Sequence, residues 1–485
     1  MPKVTFIGAG SAVFSKNIIA DILSHSALAD SEIVLMDVDE HRLDTSLRMA
    51  QSINAILQTK ARVSATANRG DALRGANFVI SAIGVGGKEA VHADLEIPLS
   101  FGVRQTVGDT LGIGGIFRSL RGVPVLLDIC RDMEELCPDA LLINYSNPMA
   151  THVLAVARST SIKVVGLCHG IVHTAETMSM LIALQQVPKN EIEAHFDLPW
   201  NSPERFEEWK RWLDLGKDPH LSYTCAGINH MAVFTRFESK GVDLYPELRK
   251  AMEVPHLLLI DPVRIEVARW LGYFITETSG HCAEYLPYYL KSESEVQRTH
   301  LRVCDYLNTI DDLDVATEQL REELLAGKPA IPIPYELSIE YASRIINAVV
   351  TNEPYVFNGN VHNQGGPLIS NLAGDSCVEV PCVADAAGVT PLFVGDIPPQ
   401  VAALISTNIN VQDLVVRGIL ENSRDYIYQA AFLDPNTTST LTLPKIKKLV
   451  DAMFEAHAGR IPGSLTLTGR MMYSALSKQY SALGI

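Results

Sequence analysis

Cys168 and His230 are the residues of this sequence best suited to chemistry that ordinary side chains cannot do. Each closes an apolar approach: Val164-Val165-Gly166-Leu167 runs into Cys168-His169-Gly170, and Ala226-Gly227-Ile228 runs into Asn229-His230. One soft thiolate and one imidazole can hold a divalent transition metal and leave positions open for a substrate. Taken singly, a cysteine at a strand end is commonly a small buried hydrophobe, and a histidine a satisfied polar residue. What gives Cys168 weight is the place that the preceding elements assign to it.

The chain starts with a short β-branched and aromatic strand, KVTFI from Lys3, followed at once by Gly8-Ala9-Gly10-Ser11. Ile18, Ile19, Ile22 and Leu23 then recur at helical spacing, and EIVLM from Glu32 is a second strand closing on Asp37. This is a βαβ dinucleotide fingerprint, in which the glycines let a pyrophosphate approach the helix N-terminus and the acid accepts hydrogen bonds from the ribose. Val13 stands where the fingerprint has its third glycine. No arginine follows in Asp37-Val38-Asp39, so NAD is expected over NADP. Gly8, Gly10, Ser11 and Asp37 are the first candidate cofactor contacts.

The alternation continues with a helical pattern through Leu43, Leu47, Ala50, Ile53 and Leu57, then strands over 62–65 and 78–83. A glycine turn at 84–87 follows, and Gly112-Ile113-Gly114-Gly115 precedes a long helix expected from about 117 to 136. Strands over 140–144 and 164–167 flank a helix that the sequence starts at Asn147-Pro148, with Pro at its first position. Such alternation predicts a doubly wound parallel sheet whose ligands sit at the carboxyl ends of its strands. Asp37, Ala82, Asn144 and Cys168 each lie at such an end. Ala82 and Asn144 thereby join the cofactor contacts, and Cys168 falls on the same face.

Two domains are expected: a Rossmann-type domain over 1–170, and a larger α+β domain over 171–485. A polar stretch near 190–220 carrying Trp200, Trp209 and Trp212 reads as a helical insert packed on its neighbour, with a lid or interface as the other reading. Segments at 355–358 and 377–381 read as strands around a loop at 359–366, and the region after Pro399 as mainly helical. The chain has 485 residues, 47% of them hydrophobic, and its 40 basic against 56 acidic side chains give a net charge of −16. That balance argues against nucleic acid and anionic membranes as partners. Eight cysteines without a CxxC pair read as reduced thiols, and Met1-Pro2-Lys3 leads straight into a strand, so a cytoplasmic location is expected.

Several motifs occur in order: GAGS, Gly108-Asp109-Thr110-Leu111-Gly112-Ile113-Gly114-Gly115, Asn144-Tyr145-Ser146-Asn147-Pro148-Met149, Cys168-His169-Gly170, Gly227-Ile228-Asn229-His230, a GYF–HCAEY segment and a late VEVP. Together they resemble glycoside hydrolase family 4, the NAD- and divalent-metal-dependent glycosidases. The resemblance implies a fold like that of lactate and malate dehydrogenases. It also implies Mn²⁺ held by Cys168, His230 and two sugar hydroxyls. The implied reaction takes hydride from C3 of the sugar, loses the C2 proton, eliminates at C1, adds water and returns the hydride. Asp109 matches the family's proton donor and is also good turn chemistry. Tyr285 matches the C2 base, with His281 and Glu277 as alternatives in the same segment. Asn147, His169 and Asn229 are the implied substrate contacts.

His169 after the cysteine resembles the branch acting on unphosphorylated sugars. DTLGIGGI, AGINHMA and GYFITETSGHCAEY most resemble the α-galactosidases, whereas Gly170 in place of serine resembles the α-glucosidases. An α-glucosidase or α-glycuronidase is therefore the alternative within the family. A stand-alone NAD-dependent 2-hydroxy acid dehydrogenase is the alternative outside it. An NAD-sensing regulatory module is the non-enzymatic reading, and the polar residues at the strand ends argue against it. The expected partner is a small glycoside, and a homo-oligomer, dimer or tetramer, is expected.

Overall fold

Six short apolar runs build the centre of the molecule: β1 (Lys3–Ile7), β2 (Glu32–Met36), β3 (Arg62–Thr66), β4 (Phe78–Ser81), β5 (Leu141–Asn144) and β6 (Lys163–Gly166). They are seen in a computed structural model that describes residues 1–199, 202–364, 366–463 and 465. All pair in parallel, in the order β3-β2-β1-β4-β5-β6, the dinucleotide-binding order. β4 and β5 are buried along their whole length because helices cover both faces of the sheet. Register aligns the strand ends in one row: Ile7 lies beside Met36 and Ser81, Ser81 beside Asn144, and Asn144 beside Gly166.

The second half of the chain adds to that sheet. β7 (Leu221–Ala226), β8 (Val233–Ser239) and β9 (Val242–Asp243) form a separate antiparallel sheet. β10 (Tyr355–His362) then joins the free edge of β6 through Asn360 and Gly166, and β11 (Cys377–Asp385) and β12 (Gly388–Pro391) follow antiparallel. Among the described residues the main sheet thus has nine strands. An isolated bridge between Gly227 and Glu379 ties the end of β7 to β11, which brings the Gly227–His230 loop to the carboxyl end of β6.

Three sequence expectations need correction. The helix expected from about 117 begins at Gly112 and runs to Leu136. Low-propensity glycines hide its first turn, but they are needed there. A Cβ on Gly114 would lie 2.4 Å from the Gly108 carbonyl oxygen, and one on Gly115 would lie 2.6 Å from Thr110 backbone. Residues 359–362, expected as loop, belong to β10: Gly359 packs where a Cβ would meet Val165 at 2.9 Å, so this glycine serves close strand packing. The helix after Asn147 spans Met149–Ser159, with Pro148 as its N-cap residue after a cis peptide bond.

Side chains divide into two cores. The main one surrounds the large sheet, with Phe6, Ile80, Phe117, Ile143 and Val165 in it. A second one gathers Met178, Leu181, Trp212, Phe234, Phe237 and Phe274. The insert forms helices Lys189–Asp197 and Pro203–Gly216, and Trp212 is fully buried in that second core with Trp209 against it. The tryptophan stretch therefore packs instead of forming a lid; Trp200 lies outside the described residues. No helix among the described residues is long and apolar enough to cross a membrane.

Candidate active site

The row of strand ends carries two adjoining constellations. At the first, Gly8 takes a positive φ of 85°, and a Cβ there would meet the Ala82 carbonyl oxygen at 2.6 Å. The Gly8 and Ala9 N–H groups donate to the Met36 carbonyl, and Gly10 N–H donates to Asp37 Oδ2 at 2.7 Å. Asp37 also accepts from Asp39 N–H at 2.9 Å, so its carboxylate is fixed beside the turn and half-buried. Ser11, exposed, leads into helix Ala12–Ser24 with no side chain capping its first N–H groups. A close-approach glycine turn, an uncapped helix start and a fixed acid are what a dinucleotide requires. Asn144 is placed differently from Gly10 and Asp37. It is fully buried, exchanging hydrogen bonds with the Ser146 backbone, and so shapes the Asn147 turn from beneath.

At the second constellation, the structure brings Cys168, His230 and Glu277 together, with ligand atoms all within 4.8 Å of one another. Cys168 Sγ lies 3.4 Å from His230 Nε2 and 3.3 Å from Glu277 Oε1. Both His230 (φ 61°) and Glu277 (φ 75°) sit in the left-handed backbone region, which non-glycine residues enter at a cost and mostly at functional sites. The imidazole tautomer follows from its neighbours. The Thr110 hydroxyl gives its hydrogen to Asp109 Oδ1 at 2.8 Å, so at 3.2 Å it accepts from His230 Nδ1–H. The Nε2 lone pair is then left facing the thiol and the carboxylate. Sulfur, imidazole nitrogen and carboxylate oxygen suit a borderline divalent cation, and Thr110 supplies the outer-shell partner that orients such a ligand.

Electrostatics agree with that reading. Burial lowers His230 to about 4, keeping it neutral. Burial would raise Glu277, but the imidazoles of His230 and His281 outweigh it and hold the carboxyl at about 2. Burial, then the Glu277 charge, pushes the Cys168 thiol well up, so a cation entering here displaces a proton.

The remaining expected residues ring this point. Burial of Asp109 is overcome by His281 and Arg118, which hold its carboxyl well below the usual range. Its Oδ2 accepts from Asn147 Nδ2 at 2.8 Å, and His281 Nε2 stands 3.7 Å from its Oδ1. Burial opposes charge on His281, but Asp109 and Glu277 push it up to about 9. His169 precedes helix Gly170–Leu184 without capping it by its side chain, which instead meets Glu340 at 2.9 Å through Nδ1, a hydrogen bond that raises its pKa. Asn229 is buried next to His230. Tyr285 is fully buried, and its hydroxyl donates to the Asn229 carbonyl at 3.0 Å, under the loop that carries His230.

Sequence reasoning missed several acids. In the sequence Glu277 stands out only as a candidate base. Glu284 Oε1 accepts three backbone N–H groups, from Thr106, Val107 and Gly108, and so fixes the loop before Asp109. Glu379, in VEVP, is buried, and burial raises it to about 8. The available signal was a carboxylate inside an apolar run, which is rarely buried without a task.

Comparison with known proteins decides the relationship. Residues 3–184 match the family 4 glycosyl hydrolases and residues 225–437 match the family 4 glycosyl hydrolase C-terminal domain. An α-galactosidase of Bacillus subtilis (strain 168) is 39% identical over 466 residues, covering 95% of this chain and 99% of that one. The chain belongs to glycosyl hydrolase family 4. An α-galactosidase of Rhizobium meliloti (strain 1021) is 33% identical over 474 residues, covering 95% of this chain and 89% of that one. The crystal structure of a 6-phospho-α-glucosidase from gut microorganisms, in complex with NAD and Mn²⁺, shares the fold. It has a TM-score of 0.72 and 19% identity, and the match covers 95% of this chain and 99% of that one.

In this family 4 chain, Gly170 is tied to the metal centre. A Cβ at Gly170 would fall 2.0 Å from Glu277 Oε1 and 2.6 Å from its carboxyl carbon. Any side chain there must push Glu277 off Cys168. Gly170→Ala is therefore expected to keep the helix, since alanine favours it, while Mn²⁺ affinity falls about tenfold or more. Mn²⁺ titration of the chelator-stripped protein measures this, and an unchanged affinity would remove Glu277 from the ligand set.

Proposed function

We propose that this enzyme hydrolyses unphosphorylated α-galactosides by a redox-assisted elimination that uses NAD and a divalent metal, Mn²⁺ in the first instance. The observation that carries this reading is the Cys168–His230–Glu277 donor set, standing in the same row of strand ends as the glycine turn and Asp37. When bound, NAD supplies a hydride acceptor for C3 and the metal an electrophile that makes the C2 hydrogen acidic, so that the C1 substituent departs before water adds.

The chain's own residues supply the rest. Gly8, Gly10, Ser11, Asp37 and Ala82 hold the cofactor, and Cys168, His230 and Glu277 hold the ion. Asn147 binds a sugar hydroxyl and fixes Asp109. Asp109 and His281 serve the leaving group as a pair: His281 carries the proton, and the ionised Asp109, 3.7 Å away at its Oδ1, holds it there. The C2 proton passes to Glu277, the one of the three expected bases that stands ionised: His281 already carries a proton, and the buried Tyr285 hydroxyl is engaged with the Asn229 carbonyl. His169, braced by Glu340, follows the cysteine as in the branch of the family acting on unphosphorylated sugars, which supports that substrate class. The α-galactosidase relatives support the choice of sugar.

The test is turnover of a nitrophenyl α-galactoside in heavy water with NAD⁺, Mn²⁺ and a thiol reductant. Deuterium is expected at C2 of the released sugar, with the C3 hydrogen kept. Ordinary two-carboxylate glycosidases touch neither hydrogen. A product without label at C2, or full activity without NAD⁺, would overturn the mechanism. Faster turnover of the matching α-glucoside or α-galacturonide would overturn the sugar.

A further inference from the structure

Helix Asp305–Leu325 has a sequence that ought to lie on an apolar surface, yet only its second half does. Tyr306, Ile310, Leu313, Thr317, Leu320 and Leu324 recur three and four apart and so share one face. Thr317 and Leu320 are buried, whereas Leu313 is 44% exposed and Ile310 is partly open. The first half of the stripe therefore faces a space that the protein does not fill.

The contacts on either side say which space it is. Asp311 pairs with Lys88, just beyond the glycine turn that follows β4. One turn on, Asp314 pairs with Arg42 at 2.6 Å, and Glu318 with His41 at 3.1 Å, both in helix Glu40–Leu57 after β2. Arg42 is beside the dinucleotide turn itself: its Cβ is 3.0 Å from where a Gly10 Cβ would be. At the helix start, the Cys304 and Tyr306 N–H groups donate to the carbonyls of Gln105 and Thr106, and the Tyr306 ring packs 5.6 Å from the Arg118 guanidinium. The helix thus bridges the two segments, after β2 and after β4, that flank Gly8, Gly10 and Asp37. Its fastenings are the His41–Glu318 hydrogen bond and partly exposed ion pairs, Lys88–Asp311, Arg42–Asp314 and Arg321–Asp44, the kind that salt weakens.

The geometry points to a roof: helix Asp305–Leu325 closes over the bound dinucleotide, with Ile310 and Leu313 packing on it and Asp311, Asp314 and Glu318 latching the helix to those two segments. This rests on the reading of the glycine turn as the NAD site and adds to it. A cofactor that is oxidant and reductant within one turnover need not leave between turnovers, and the roof retains it.

Release of NADH from the full-length protein, followed by its fluorescence in a stopped-flow chase with excess NAD⁺, tests this without reference to activity. The release rate of the wild type is expected to rise several-fold from low to high salt. The triple variant Asp311→Asn, Asp314→Asn, Glu318→Gln should release NADH about tenfold faster at low salt and lose most of the salt dependence, Arg321–Asp44 keeping the rest. Leu313→Ser should also release faster but keep it. These positions are at the surface, so the fold is not at stake. Tight NADH binding with release unchanged in the triple variant and in Leu313→Ser would overturn the roof alone. No NADH binding by the wild type would overturn the dinucleotide site and the roof with it.

Discussion

Replacing Cys168 with serine, or His230 with alanine, is expected to lower kcat a thousandfold or more while changing NAD⁺ affinity by less than about threefold. The size follows from what the site must provide. A cation that polarises a sugar oxygen supplies several kcal/mol, and each 1.36 kcal/mol is about a factor of ten in rate. Serine keeps the shape of Cys168 but offers a neutral alcohol in place of a thiolate, and alanine at 230 removes the lone pair that Thr110 aims. The cofactor should be spared because Gly8, Gly10 and Asp37 are held by β1 and β2, with no contact to either residue. Turnover, Mn²⁺ binding and NAD⁺ binding measured side by side check this. Near-normal turnover of either variant after exhaustive chelation would end the metal assignment.

The second large effect concerns stability. Arg121→Met alone should destabilise the protein by about 3–5 kcal/mol, while the double variant Asp94→Leu/Arg121→Met should recover part of that loss, the buried His457 that touches both side chains keeping the rest. The pair is buried, at 1% and 2% exposure, and bidentate: the two guanidinium nitrogens donate to the two Asp94 oxygens at 2.9 and 2.6 Å. Removing Arg121 leaves the Asp94 charge away from water with only His457, 3.0 Å from its Oδ1, beside it; removing both takes away both charges but leaves the buried His457 without either partner. Arg121 also donates from Nε to the Val85 carbonyl, in the turn before Lys88, so the loosened turn accompanies the lost stability. Urea unfolding of the three proteins decides it. A single variant as stable as the wild type would show that the pair is dispensable.

Much of the architecture could be read directly because local pattern and tertiary role coincide there. KVTFI, EIVLM and the run ending at Asn144 are apolar because the sheet buries them on both faces; Gly8 follows the first, and Asp37 and Asn144 mark the carboxyl ends of the other two. Cys168 and His230 were legible for the same reason. Where the reading failed, residues chosen for close packing imitated residues chosen for turns. Gly114, Gly115 and Gly359 look like loop glycines, and each instead makes room for a neighbouring backbone or side chain. Glu277 was hidden as a ligand for a different reason. Its place depends on a bridge between Val233 and Ile275 and on the empty Cβ position of Gly170, neither of which leaves a periodic trace. Glu284 and Glu379 became informative only once the chain segments they hold were seen together.

The two hydrophobic cores give the metal site a second consequence. Its donors all lie where the chain crosses from one core to the other. Leu167 belongs to the main core and Ile171 to the second, with Cys168 between them. Met231 and Ala232 divide in the same way beside His230, as do Phe274 and Ile275 ahead of Glu277. An ion gripped by all three groups recognises the docked arrangement and not the separated one. Its binding free energy is therefore added to whatever holds the two cores together. An ion bound by these three candidate donors would then fasten the two cores as well as serve the reaction.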